Sequence, residues 1–104
     1  MTTPVAAATR VAVRIPGLLR AYTAGAERVD ILLPARPDAG APRLGDALAA
    51  LDDRYPGLRF RIVDEQGKVR PHIRLFVDCA DTRDLGATLP VAAELMIVGA
   101  LSGG

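Results

Sequence analysis

The sequence predicts an α+β fold in which one main helix packs on one face of a mixed four- to five-stranded sheet. Four separate segments alternate apolar and polar residues, which is typical of strands with one buried face. Between the second and third of these segments, a stretch beginning at Leu44 places apolar residues at helical spacing. A hairpin, a crossing helix and further strands in this order indicate a single sheet covered on one side.

The predicted strands lie at residues 10–15, 28–33, 72–77 and 94–101. In the first strand, Val11, Val13 and Ile15 share one face. In the last strand, the alternation separates Leu95 and Ile97 from Met96 and Val98. We expect the first and last strands to lie side by side in the middle of the sheet, which is the β-grasp arrangement.

The helix has a clear apolar stripe and a clear end. Its stripe consists of Leu44, Ala47, Leu48, Leu51 and Tyr55. Pro56-Gly57 is expected to stop the helix. The proline-rich segment 34–42 is predicted to be a loop, residues 60–63 a short extended piece, and residues 78–84 a polar turn.

Length and charge indicate one globular domain and exclude some classes of function. The chain has 104 residues and a formal net charge of +1, which argues against a dedicated nucleic-acid-binding protein. No apolar stretch is long enough to cross a bilayer, and Cys79 is the only cysteine. We expect a cytoplasmic protein with a flexible N-terminus at residues 1–9, a β-grasp domain at 10–101 and a flexible reactive tail at 102–104.

The sequence offers little support for a metal site or a nucleophilic side chain. His72 is the only histidine, and the carboxylates of Asp78, Asp81 and Asp84 do not have the spacing of an EF-hand. Cys79 has no neighbouring His or Lys that would activate its thiol as a nucleophile. We therefore expect no metal site, no bound cofactor and an incidental cysteine.

Several short segments, taken together and in order, match a known pattern. They are Val13-Arg14-Ile15-Pro16, Leu19-Arg20, Thr23, Leu44-Gly45-Asp46-Ala47-Leu48, Leu51, Tyr55-Pro56-Gly57-Leu58, Arg70, His72, Phe76-Val77 and Ala100-Leu101-Ser102-Gly103-Gly104. With these residues the chain resembles the ubiquitin-like sulfur-carrier family of the ThiS and MoaD type, and within it the CysO-like branch. The resemblance covers residues 10–104. One departure is Gly99, which stands where the family usually has a proline.

The resemblance implies a function for the C-terminal tail. A ThiF/MoeB-like adenylyltransferase would use ATP to activate the Gly104 carboxylate as an acyl-adenylate. A sulfur donor would then convert it to a thiocarboxylate, which a sulfur-accepting biosynthetic enzyme would consume. Gly103, Ser102 and Leu101 would thread into the partner, since glycine lacks a Cβ and passes a narrow channel. The chain would be a protein cosubstrate and not an enzyme.

The sheet face opposite the helix is predicted to be the partner interface. Alternation places the apolar side chains of Phe76, Met96 and Val98 there, beside Arg14 and Arg74. The two arginines are expected either to pair with acidic groups of a partner or to be ordinary solvated charges.

Four functions share these features and remain open at this point. The first is a sulfur carrier for the biosynthesis of cysteine, thiamine, molybdopterin or another sulfur-containing metabolite. The second is a ubiquitin-like modifier that ends in an isopeptide bond to lysine. The third is a small subunit of a molybdopterin-synthase-like complex, and the fourth is a β-grasp interaction module with an unreactive tail.

Overall fold

The computed structural model describes residues 9–34 and 40–99. Its strands are β1 (Thr9–Arg14), β2 (Arg28–Leu33), β3 (Ile73–Val77), β4 (Ala80–Thr82) and β5 (Glu94–Gly99), and its α-helices are α1 (Leu44–Arg54) and α2 (Leu58–Ile62). A 3-10 helix at Gly17–Thr23 connects β1 to β2. Over the described residues, no helix has the length and apolar content needed to cross a membrane.

The five strands form one mixed sheet with the order β2-β1-β5-β3-β4. β1 pairs with β2 antiparallel and with β5 parallel, and β5 pairs with β3 antiparallel. The predicted fold class is therefore confirmed, including the position of the first strand beside the last one inside the sheet. Because β1 and β5 are parallel, their C-terminal ends, Arg14 and Gly99, lie at the same edge of the sheet.

The core lies between α1 and the sheet. The apolar stripe of α1 is fully buried at Leu44, Ala47, Leu48 and Leu51. The inward residues of the central strands join the same cluster, namely Val11, Val13, Leu95 and Ile97. Burying each large aliphatic side chain contributes about 1.5–3 kcal/mol, so this cluster is the main source of stability.

The prediction of an extended piece at residues 60–63 is wrong, because these residues belong mostly to α2. Gly57 has a φ of +93°, a conformation that favours glycine, and it turns the chain after α1. The carboxylate of Asp52 then accepts hydrogen bonds from the backbone amides of Gly57 and Arg59, at 3.1 and 3.2 Å. Leu58 and Ile62, four residues apart, are both buried and hold the short helix on the core.

The prediction that residues 78–84 form only a turn is also wrong. Asp78 and Cys79 have φ values of 48° and 71° and make a two-residue hairpin turn. Ala80–Thr82 then pairs with β3 as a fifth strand. Positive φ at both central residues is typical of hairpin turns, but they usually contain glycine, so Asp-Cys did not indicate one.

Candidate functional site

The residues of the predicted reactive tail, Leu101, Ser102, Gly103 and Gly104, lie outside the described residues. The nearest described residue is Gly99, the last residue of β5. The geometry that bears on the tail is therefore the surface around Gly99.

Three of the predicted interface residues lie together on the outer face of the sheet. Phe76 and Met96 are direct cross-strand partners between β3 and β5, and Arg74 faces Val98 in the same register. Phe76 and Met96 are half-buried, whereas Val98 is 38% exposed. We call Phe76, Met96 and Val98 the apolar row. Val98, a member of the apolar row, directly precedes Gly99 in β5. The role of the row as a partner interface stays a prediction.

The two predicted interface arginines flank the apolar row and hold carboxylates of this chain. The Nε atom of Arg14 lies 3.5 Å from Oε1 of Glu94. The Nη1 atom of Arg74 lies 3.4 Å from Oδ2 of Asp81. Both pairs are exposed, so each contributes at most about 1 kcal/mol. The outer face is thus close to neutral around an apolar centre.

A shallow cavity of about 270 Å³ opens where β1 and β5 end. Arg14, Pro16, Met96, Val98 and Gly99 are among its lining residues. Two more lining residues come from the β1–β2 connection, Arg20 and Glu27, with Nη1 of Arg20 3.9 Å from Oε1 of Glu27. The Nε atom of Arg20 also donates a hydrogen bond to the Ile15 carbonyl, at 3.1 Å. The 3-10 helix is thereby tied to the end of β1, near Gly99 at the end of β5.

Leu18 is a residue of this region that the sequence did not indicate. Its side chain occupies the space in which a Cβ of residue 99 would stand, and Cδ1 of Ile73 lies 3.5 Å from the same position. A side chain at residue 99 therefore requires Leu18 to move. This contact explains why glycine suits the end of β5, and no local motif could have predicted it because β5 and the 3-10 helix are distant in sequence.

Other side chains that could bind a metal ion or react chemically lie apart from one another. In the described ranges, no three His, Cys, Asp or Glu side chains are close enough together to hold a metal ion. Cys79 is exposed in the β3–β4 turn. His72 precedes β3 and lines a second cavity on the helix side of the sheet, together with Leu18.

Comparisons with known proteins agree with this geometry. No family model and no curated protein matches the sequence. Among solved structures, CysO from Mycobacterium tuberculosis is 24% identical with a TM-score of 0.73, over 88% of this chain and 99% of that one. A chain of the BexX/CysO complex from Amycolatopsis orientalis is 29% identical with a TM-score of 0.71, over 90% of this chain and 99% of that one.

A protein whose name gives it a different role is equally similar in shape. Small archaeal modifier protein 1 from Haloferax volcanii is 22% identical with a TM-score of 0.72, over 89% of this chain and 99% of that one. Similarity at this level of identity shows the fold. The predicted resemblance is confirmed: the chain has a ubiquitin-like β-grasp fold, and its structural neighbours are ubiquitin-like sulfur carriers and modifiers of the ThiS/MoaD type.

Proposed function

We propose that this chain is a sulfur carrier whose Gly104 carboxylate is adenylated and then converted to a thiocarboxylate. A carboxylate oxygen attacks the α-phosphorus of ATP, and pyrophosphate leaves. Hydrosulfide released by the sulfur donor then attacks the acyl carbon, AMP leaves, and loss of the proton gives the thiocarboxylate. The ThiF/MoeB-like partner supplies the nucleotide site, and this chain supplies the docking surface and the reacting carboxylate.

The observation that carries this proposal is the position of Gly99. It ends the central strand β5, directly after the apolar row and beside the cavity at the end of β1. Gly104 follows five positions later in the sequence, and five extended residues span at most about 17 Å. A partner docked on the apolar row is therefore close enough to receive the carboxylate in a recessed nucleotide site.

Mass spectrometry tests the proposal directly. The full chain is incubated with a cognate adenylyltransferase, ATP and a sulfur source, and the intact mass is measured. We expect the increase that corresponds to exchange of one oxygen for one sulfur. Deletion of Gly104 removes the increase while the far-ultraviolet circular dichroism spectrum stays unchanged. If an adenylyltransferase that is shown to be active on another carrier leaves the mass of this chain unchanged, the proposal is overturned.

A protein modifier is the second candidate, and the similarity to small archaeal modifier protein 1 favours it. In this function Gly104 forms an isopeptide bond with a lysine of another protein. Lys68 is the only lysine of the chain and is exposed, so it is the only lysine on which copies of this protein would link to one another.

Conjugation is tested by expressing the tagged chain in its own cells. Slow-migrating conjugates that vanish on deletion of Gly103-Gly104 support the modifier function. Lys68→Arg serves as the matched control, because it removes linkage between copies but leaves conjugates with other proteins. Complete absence of conjugates, with the thiocarboxylate present, leaves the carrier function alone.

A further inference from the structure

A second surface borders Gly99 on the side of the sheet that carries the helices. It contains a groove of about 260 Å³ lined by Leu18, Leu19, Tyr22, Arg61 and His72. Leu18 belongs both to this groove and to the contact above Gly99. The groove and the apolar row therefore lie on opposite sides of the point at which the chain leaves β5.

Two arginines of this surface are held against aromatic rings. Nε of Arg61 donates a hydrogen bond to the Tyr22 hydroxyl, and Cζ of Arg61 lies 5.7 Å from the Tyr22 ring centroid. Nε of Arg70 donates to the Phe60 carbonyl at 2.7 Å, and Cζ of Arg70 lies 4.5 Å from the Phe60 ring centroid. We call Tyr22, Phe60, Arg61, Arg70 and His72 the arginine–aromatic surface.

Neither of these two arginines forms a close ion pair with a carboxylate in the part of the chain that the structure describes. The ion pairs there involve Arg14, Arg20, Arg28 and Arg74, but neither Arg61 nor Arg70. A guanidinium that uses Nε for a neutral acceptor keeps its two terminal nitrogens for another ligand. Each terminal fork matches the two oxygens of a carboxylate.

Asp64 is a carboxylate close to Arg70 in the sequence, but it accepts hydrogen bonds from backbone amides of its own turn. Its Oδ1 accepts hydrogen bonds from the backbone amides of Gln66 and Lys68, at 2.9 and 3.0 Å. The Lys68 amide is the main reason that the pKa of Asp64 is below its ordinary value, with smaller contributions from the charges of Arg70 and Lys68. Asp64 thus stabilises the turn and makes no ion pair with Arg70.

The turn that carries Arg70 and His72 is itself held in place. The guanidinium of Arg83 donates hydrogen bonds to the carbonyls of Val69, Arg70 and Ile73, at 2.7, 3.0 and 3.1 Å. Stacked and supported arginines lose little conformational freedom when they bind a ligand. The surface is therefore preorganised for anions.

Exposed apolar groups lie next to these cations. Phe60 is 52% exposed and Leu18 is 40% exposed. A ligand that satisfies both features carries carboxylates with apolar side chains beside them, which describes an acidic protein segment and not a free inorganic anion. Charge complementarity thus selects the occupant.

We propose that the arginine–aromatic surface is a second docking site, which binds an acidic segment, with apolar residues beside its carboxylates, of the partner that receives the tail. This inference rests on the proposed function for the identity of the partner, but not for the chemistry of the contact. The partner would then hold the chain on both sides of Gly99, through apolar burial on one side and through carboxylate–guanidinium contacts on the other.

A nuclear magnetic resonance titration tests the contact without any partner. The probe is the acetylated and amidated peptide Glu-Leu-Glu-Glu-Leu, and the control probe has Gln in place of each Glu. We expect the Glu peptide to shift the amide signals of Tyr22, Arg61 and His72, and high salt to reverse the shifts. Equal shifts with the Gln peptide, or shifts confined to the apolar row, overturn the proposal.

Matched variants assign the binding to the two arginines. The double variant Arg61→Gln, Arg70→Gln is expected to weaken the Glu peptide about tenfold or more, since two charge-assisted contacts are lost. Arg14→Gln, Arg74→Gln removes the same charge from the outer face and is expected to leave the affinity within about twofold. Arg61→Lys tests the fork alone if the double variant folds poorly. If neither the double variant nor Arg61→Lys weakens binding of the Glu peptide, the proposed site is wrong.

The adenylyltransferase then links the contact to function. With the Arg61→Gln, Arg70→Gln variant, we expect KM for the carrier to rise about tenfold at an unchanged kcat, because the contact lies outside the reacting groups. If wild-type protein binds the peptide but is never adenylated, the proposed function fails and the site stands. If adenylation proceeds with the same KM in both proteins, the second docking site is wrong.

Discussion

The two surfaces that border Gly99 use arginine in opposite ways. On the outer face of the sheet, Arg14 and Arg74 each lie within 3.5 Å of a carboxylate from a neighbouring strand. On the helix side, Arg61 and Arg70 lie against aromatic rings and have no such carboxylate in the described residues. The same residue type is thus neutralised on one side and available on the other.

The difference shows that the surroundings of a charge decide what it offers a partner. On the outer face, the charged side chains beside Phe76 and Met96 form ion pairs with one another. The binding energy of this face therefore comes from apolar burial. The helix side presents guanidiniums with open forks, so its contacts are electrostatic and sensitive to salt. Four predictions test this contrast, beginning with the largest expected effect.

Met96→Glu is expected to damage partner docking most. It puts a charge at the centre of the apolar row, where a docked partner would have to bury it beside Phe76. We expect kcat/KM for adenylation by the cognate enzyme to fall about 30-fold or more, which corresponds to a hot-spot loss of about 2 kcal/mol. Thermal unfolding should change little, since Met96 is only half-buried.

Leu32→Glu is the matched control for this variant. Leu32 lies on the same face but in the edge strand β2, and it is 61% exposed. We expect kcat/KM to stay within about threefold of wild type, as is usual outside a hot spot. Similar losses for Met96→Glu and Leu32→Glu would show that the outer face binds by its overall charge and not through the apolar row.

Removing Arg83 is expected to cost more stability than removing Arg74. Arg83 donates to three backbone carbonyls on the helix side, whereas Arg74 has one exposed carboxylate. We expect Arg83→Ala to lower the free energy of unfolding by about 2 kcal/mol and Arg74→Ala by about 0.5 kcal/mol or less. Urea unfolding of both variants measures this, and the reverse order would contradict the contrast between the two surfaces.

Gly99→Ala tests the contact that lies between the two surfaces. The new Cβ would require Leu18 to move, and Leu18 is partly exposed and therefore able to do so. We expect a loss of about 1 kcal/mol in the free energy of unfolding. Leu18→Ala in the same chain should recover most of that loss, because the two residues are coupled.

Gly17→Ala is the control for the glycine substitution. Apart from its chain neighbours and the backbone of its own helix, no atom lies within 4 Å of a Cβ built at Gly17. Its effect on the free energy of unfolding should therefore lie within about 0.5 kcal/mol. Additive losses in the Leu18→Ala, Gly99→Ala double variant would exclude the contact.

The smallest effect concerns pH and the turn before Arg70. The folded-state pKa of Asp64 is lowered, chiefly by the Lys68 amide, so the carboxylate stabilises the fold at pH values above its unfolded pKa of about 3.9. That contribution is lost as the pH falls through the lower folded pKa. Asp64→Asn should therefore flatten the acid side of the stability–pH curve, measured by urea unfolding between about pH 2 and 6.

Much of the fold was predictable from periodicity. Alternation identified β1, β2, β3 and β5, and the stripe that begins at Leu44 identified α1. The predictions failed at α2, a helix of five residues, and at β4, a strand of three residues. Five residues do not complete two helical turns and three residues hardly show alternation, and both elements depend on turns at Gly57 and Asp78-Cys79.

The candidate site divides in the same way. Alternation was sufficient to place Phe76, Met96 and Val98 on one face, and the structure shows them there. It did not indicate that Arg14 and Arg74 have carboxylates of their own, because Glu94 and Asp81 lie on neighbouring strands whose register the sequence leaves open. Nor did it indicate Leu18, whose importance depends on its contact with Gly99.

By itself, the sequence determined the class of fold, the faces of the long elements and the pattern that ends in Gly103-Gly104, because each of these depends on residues near one another along the chain. Tertiary structure alone decided which arginines are neutralised and which are available. Arg61 meets Tyr22 across 39 positions and Arg70 meets Phe60 across 10. Such contacts form only when the 3-10 helix, α2 and the turn before β3 pack together, so no local pattern records them.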